Sequence, residues 1–135
     1  MTDEVFDRGL EIRRRMFGAS ATDAQLRDAD DFTHDLQELV TRYCFGEVWG
    51  RKQLSLGLRS MLTVAMLVAL GRDNELRVHV RGALANGVSR EDLREIFLHA
   101  AVYCGIPAAV GAFRTAREVF AEADRGDAIA DPTRA

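Results

Sequence analysis

Proline is nearly missing from this chain. Only Pro107 and Pro132 occur in 135 residues, so the first 106 contain none. That excludes a proline-rich linker and favours long helices. Cysteine is scarce too. Cys44 and Cys104 lie far apart and form no CxxC. The start, Met1-Thr2-Asp3-Glu4, has no basic and apolar leader, so both are expected to be reduced, mostly buried thiols of a cytoplasmic protein. There is no excess of positive charge: 18 basic against 21 acidic residues give −3, with a pI of about 5.6. Nothing marks a nucleic-acid partner. The longest charge-free apolar stretch, Met61 to Leu70, is too short to span a bilayer, so no membrane partner is expected. Alternating strand patterns and fixed-period repeats are absent as well.

What is present is a helical pattern. Hydrophobic residues make up 47% and charged residues 29%, as in an ordinary globular chain. The length suits one domain, taken here as residues 1–124, followed by a polar tail, 125–135. Such a chain buries roughly 65–70% of its unfolded surface, a modest core that gains from a partner subunit. About six helices are expected. The first runs from Asp3 to Phe17 and stops at Gly18, with Thr22 capping a short turn over Asp23 to Leu26. The second covers Asp31 to Trp49, with Gly46 and Gly50 breaking or kinking its end. The third, Ser55 to Leu70, is apolar on all sides beyond Arg59 and so reads as central and fully buried. Asp73 or Asn74 caps the fourth, which ends at Asn86-Gly87. The fifth opens at Ser89 with Asp92 three positions on, a capping-box arrangement, and runs to about Tyr103. The sixth follows Pro107 and places Val110, Phe113, Ala116, Val119 and Phe120 on one side.

Some residues have the right type and spacing for chemistry. Glu75 and His79 are four apart and share a helix face, beside the apolar Leu76 and Val80. The pair suits a carboxylate orienting a histidine acid or base. An ordinary surface i,i+4 pair is the alternative. Glu47, between Gly46 and Val48-Trp49, reads as a carboxylate open to desolvation, or as a helix-end acid paired with Arg42 or Arg51. Arg59 stands alone at the mouth of the apolar helix. Its partner is either a protein acid or a substrate carboxylate held bidentately. Arg72, Arg77 and Arg81 add positive charge around Glu75 and His79. Three scattered histidines, His34, His79 and His99, make no metal-ligand pattern, and no glycine-rich phosphate loop is present.

Several strings in order resemble one family. They are Arg42-Tyr-Cys-Phe-Gly-Glu47-Val-Trp49, Arg59 through Arg72, Glu75-Leu-Arg-Val-His79, Asn86-Gly-Val-Ser-Arg-Glu91 and His99 through Ala109. Together they are similar to the γ-carboxymuconolactone decarboxylase family, over about Asp7 to Phe120. The resemblance implies an all-α, alkylhydroperoxidase-D-like fold assembled as trimers or hexamers. In the peroxidase branch a CxxC precedes the active-site histidine. The matching positions here are Arg72 and Glu75, which disfavours thiol peroxidase chemistry. The decarboxylase branch has Glu-x-x-x-His, as at Glu75 and His79, and an upstream glutamate matched by Glu47. One stretch departs from the family: Ser55-Leu56-Gly57-Leu58 lacks the usual acidic-basic-basic charges before Arg59.

The implied reaction is cofactor-free decarboxylation of 4-carboxymuconolactone, a small carboxylated lactone, to 3-oxoadipate enol-lactone in protocatechuate breakdown by the β-ketoadipate pathway. His79, Glu47 and Glu75 are then the expected catalytic residues. Arg59, Arg42, Arg81 and Tyr103 are the expected substrate-binding residues, with no metal. The departure at 55–58 leaves two alternatives: a different lactone or β-keto acid as substrate, or a non-catalytic oligomer that binds a metabolite.

Overall fold

A computed structural model describes residues 3–127. The expected polar tail lies mostly outside them. Within them every regular element is helical, and no strand is present. The chain divides into two compact units, Met1–Ser55 and Leu56–Ala135.

The first unit holds α1 (Glu4–Phe17), α2 (Ala19–Arg27) and α3 (His34–Leu39), which continues as a π-helix over Val40–Trp49. Asp3 caps α1 by accepting from the Phe6 amide at 3.1 Å. Gly18, with φ of 92°, breaks α1 from α2 in a conformation that a side chain would strain. Helix α2 is longer than the short turn expected, and Thr22 does not cap it. Thr22 is buried inside α2, where its hydroxyl donates to the Arg13 carbonyl at 3.3 Å.

The expected helix from Asp31 to Trp49 is wrong at its start and in its winding. Asp30 forms a turn, accepting from the Phe32 and Thr33 amides at 3.0 Å each, so helix begins only at His34. Winding changes at Val40 because Thr41 lends its hydroxyl to the Gln37 carbonyl at 2.8 Å. That carbonyl then has a partner outside the i→i−4 ladder, and the ladder can widen. Helix α1 packs against this π segment at very close range. A Cβ on Gly9 would fall 1.9 Å from the Thr41 carbonyl oxygen, and one on Gly46 would fall 2.3 Å from that of Val5.

Arg13 lies in the middle of this unit, only 4% exposed. It donates to Thr41 Oγ1 (2.7 Å), Gln25 Oε1 (2.8 Å) and Gln37 Oε1 (3.1 Å). Burial lowers its pKa.

The second unit holds α4 (Leu56–Leu70), α5 (Asp73–Ala85), α6 (Arg90–Cys104) and α7 (Ile106–Asp124). Asp73 is the first residue of α5, and Arg72 occupies the cap without a side-chain bond. Ser89 and Asp92 form the expected capping box of α6. Gly105, with φ of 96°, separates α6 from α7, and Pro107 sits in the first turn of α7.

The core of this unit is built from Val64 and Val68 of α4, Leu76 and Val80 of α5, Leu93 and Phe97 of α6, and Ala112, Ala116 and Val119 of α7. Helix α4 was expected to be fully buried and is not. Ser60, Val64 and Val68 face inward, while Leu58, Leu62, Met66 and Leu70 are exposed at positions four apart. Within the second unit the core packs against the Ser60, Val64 and Val68 side of this apolar helix. Val110 and Phe113 of α7 stay partly exposed, Phe113 resting edge-on against the core Phe97 with ring centroids 5.6 Å apart, while Ala109, Ala112 and Ala116 are buried. Cys104 is exposed, contrary to expectation, and Cys44 is partly buried.

Candidate active site

Helix α5 organises the candidate site. Leu76, Val80 and Ala83 turn one face into the core. His79 follows Leu76 by three positions and so lies at the edge of that buried face. Part of its ring stays open, but Nδ1 is inaccessible to solvent. Burial pushes its pKa from 6.5 down to about 4, with the Glu75 carboxylate opposing that shift. At neutral pH the ring is therefore a neutral imidazole, with one N–H donor and one basic nitrogen.

Glu75 hydrogen-bonds Arg72 at 2.8 Å, and that bond, ahead of the nearby His79, lowers its pKa. Its relation to His79 is thus electrostatic. The arginines around it fall into two groups. Arg72 and Arg77 have protein carboxylates: Glu75 for the first, Glu118 and Glu122 of α7 for the second, with Glu122 at 3.2 Å.

Arg59 and Arg81 differ. Arg59, in the first turn of α4, has a buried Nε with no hydrogen-bond partner and no ion pair to a described residue. Arg81 gives Nη2 to the Asp127 carbonyl at 2.7 Å, while Nη1 is buried without a partner. A buried guanidinium N–H without an acceptor costs free energy unless a ligand completes it.

The other expected residues stand differently. Arg42, in the first unit, is held by Asp3 and by Glu38 at 3.3 Å, and both raise its pKa. Its charge is already matched by protein acids. Glu47 is exposed on the π segment. Tyr103 is exposed at the end of α6, its ring 5.0 Å from His99. Among the described residues, no three His, Cys, Asp or Glu side chains group as metal ligands. No helix there is long and apolar enough to cross a membrane.

Sequence reasoning missed one polar pair. Asn86, read only as a helix stop, donates through Nδ2 to the fully buried Ser60 Oγ at 3.0 Å, and its Oδ1 is buried without a partner. Ser60 directly follows Arg59, so one turn of α4 holds two polar side chains with atoms inside the unit. The signal was a serine in an otherwise apolar run.

The sequence model of the carboxymuconolactone decarboxylase family matches residues 34–118. The chain is 41% identical over 121 residues to a 4-carboxymuconolactone decarboxylase of Acinetobacter baylyi, covering 89% of this chain and 90% of that protein. It is 37% identical over 124 residues to a nitrosuccinic acid decarboxylase of Metarhizium robertsii, covering 91% and 87%.

Proposed function

The chain belongs to the carboxymuconolactone decarboxylase family, and on that premise we propose that it removes CO2 from 4-carboxymuconolactone, giving 3-oxoadipate enol-lactone. The observation that carries the reading is the half-buried, neutral His79 on the Glu-x-x-x-His face of α5. The reaction is cofactor-free because the substrate is its own electron sink. The C–C bond to the departing carboxylate breaks, and its electron pair passes into the lactone as a dienolate. A proton from solvent water then returns to the dienolate carbon next to the lactone carbonyl. The protein must hold carboxylate, stabilise the new oxyanion and deliver that proton.

Arg59 supplies the carboxylate clamp, and Arg81 is a second candidate, since each holds a buried N–H that no acid among the described residues takes. His79 donates its N–H to the developing oxyanion. A neutral donor fits this task, because it need not be charged in a buried place. Glu75 fixes Arg72 and biases the His79 field. We take residues 1–124 to act as one functional domain of a cytoplasmic homo-oligomer, a trimer or hexamer, in the β-ketoadipate pathway.

Incubating the protein with 4-carboxymuconolactone and following ultraviolet absorbance tests the reading: turnover supports it, and no turnover by the intact assembly rejects it. A second reading rests on two observations, the uncharged 55–58 stretch and the similarity to a nitrosuccinic acid decarboxylase. In it the chain decarboxylates another acid whose electron sink is already attached. Parallel assays with nitrosuccinate separate the two by kcat/KM.

A further inference from the structure

Helices α6 and α7 enclose an open groove of about 500 Å3 on the second unit. Its floor is apolar: Phe97, Val110, Phe113 and Phe120. Its rim is cationic: Arg94, Arg114 and Arg117. No acidic residue lines it. Arg90 is committed to Asp124 and stacks on Phe120 at 4.6 Å. Arg94 meets only its neighbour Glu95, at 3.8 Å, and both are exposed. Arg114 and Arg117 make no ion pair with a described residue and are exposed beside the partly bare Phe113 and Val110. An apolar trough edged by unmatched guanidinium groups fits an apolar helix face edged by carboxylates.

The first unit carries such a face. Leu36 and Leu39 of α3 are more than half exposed, and the exposed Phe32 and Tyr43 extend the apolar row at either end. Asp31 and Asp35 are exposed beside it, the Asp35 side chain almost wholly so. We propose that the α6/α7 groove receives the α3 face of a second copy of this chain, with Asp31 and Asp35 meeting the arginine rim. The proposal rests on the homo-oligomer reading above and names one interface within it. It does not depend on the substrate.

Sedimentation equilibrium of the full chain tests it with paired charge reversals, Arg114→Glu with Arg117→Glu and Asp31→Arg with Asp35→Arg. Each pair alone should raise the dissociation constant about tenfold or more, and mixing the two variants should restore association to the native level. Unchanged association for both pairs, or no recovery on mixing, overturns this interface while leaving homo-oligomerisation standing. A native chain that stays monomeric at every concentration overturns both. A cross-link decides if the reversals fail to fold. Leu36→Cys in one tagged copy and Val110→Cys in another should join through a short bismaleimide, above the background set by Cys44 and Cys104. Absence of that interchain product overturns the proposal.

Discussion

At the residue scale the account turns on what each buried polar atom lacks. His79 sits where burial outweighs the Glu75 carboxylate, so it stays neutral down to about pH 4. Replacing it with Ala should lower kcat roughly a hundred- to ten-thousand-fold. Since His79 stays neutral down to about pH 4, kcat/KM should show no histidine inflection near pH 6.5. The same shift governs stability. Between about pH 4 and 6.5 the unfolded chain binds more protons at this site than the folded one. The His79 contribution to stability is therefore complete above 6.5 and lost as pH falls through that window. Urea titrations of native and His79→Gln protein at pH 7 and pH 5 should show a smaller pH loss in the variant.

Arg59→Ala should raise KM about tenfold or more with little change in kcat if the guanidinium binds ground-state carboxylate. An unchanged KM would remove it from that role. The Glu75 and His79 pair was legible in the sequence because spacing of four on a helix decides a shared face. The division of the arginines was not. Arg77 finds acids 41 and 45 residues away on α7, and only tertiary packing sets such partners.

At the scale of elements, capping chemistry was readable and winding was not. Ser89 and Asp92 announce the start of α6 because their bonds are local. The π segment arises from a side-chain bond, Thr41 to Gln37, together with Arg13 reaching across from α1. No periodic pattern reports either. Gly46 read as a breaker with Gly50, yet its task, shared with Gly9, is to let α1 and the π segment touch backbone to backbone. Gly9→Ala should cost about 3 kcal/mol or more, because the new methyl meets a carbonyl rather than a movable side chain. Arg13→Ala should cost on the order of 3 kcal/mol, since it strands the Gln25, Gln37 and Thr41 oxygens inside the unit. Chemical denaturation checks both, and Arg13→Lys should rescue only partly, since one ammonium cannot span the three acceptors.

At the scale of the whole molecule, the modest core implied by composition becomes a set of bare apolar faces. Leu58, Leu62, Met66 and Leu70 recur along α4 and stay about half or more exposed. An apolar helix reads as buried in sequence, but periodicity does not say which of its sides its own unit covers. Leu62→Glu with Met66→Glu should lower the assembly state while the far-ultraviolet helical signal persists, as sedimentation and circular dichroism would show.

The most direct measurement of the central claim is a turnover assay. Dialysed protein, with chelator and no added cofactor, is given 4-carboxymuconolactone, and loss of substrate absorbance is followed beside CO2 release. Stoichiometric CO2 release by the native assembly, nearly abolished in a folded His79→Ala assembly, is the predicted result. Undiminished turnover by that variant, or none by the native assembly, would contradict the account.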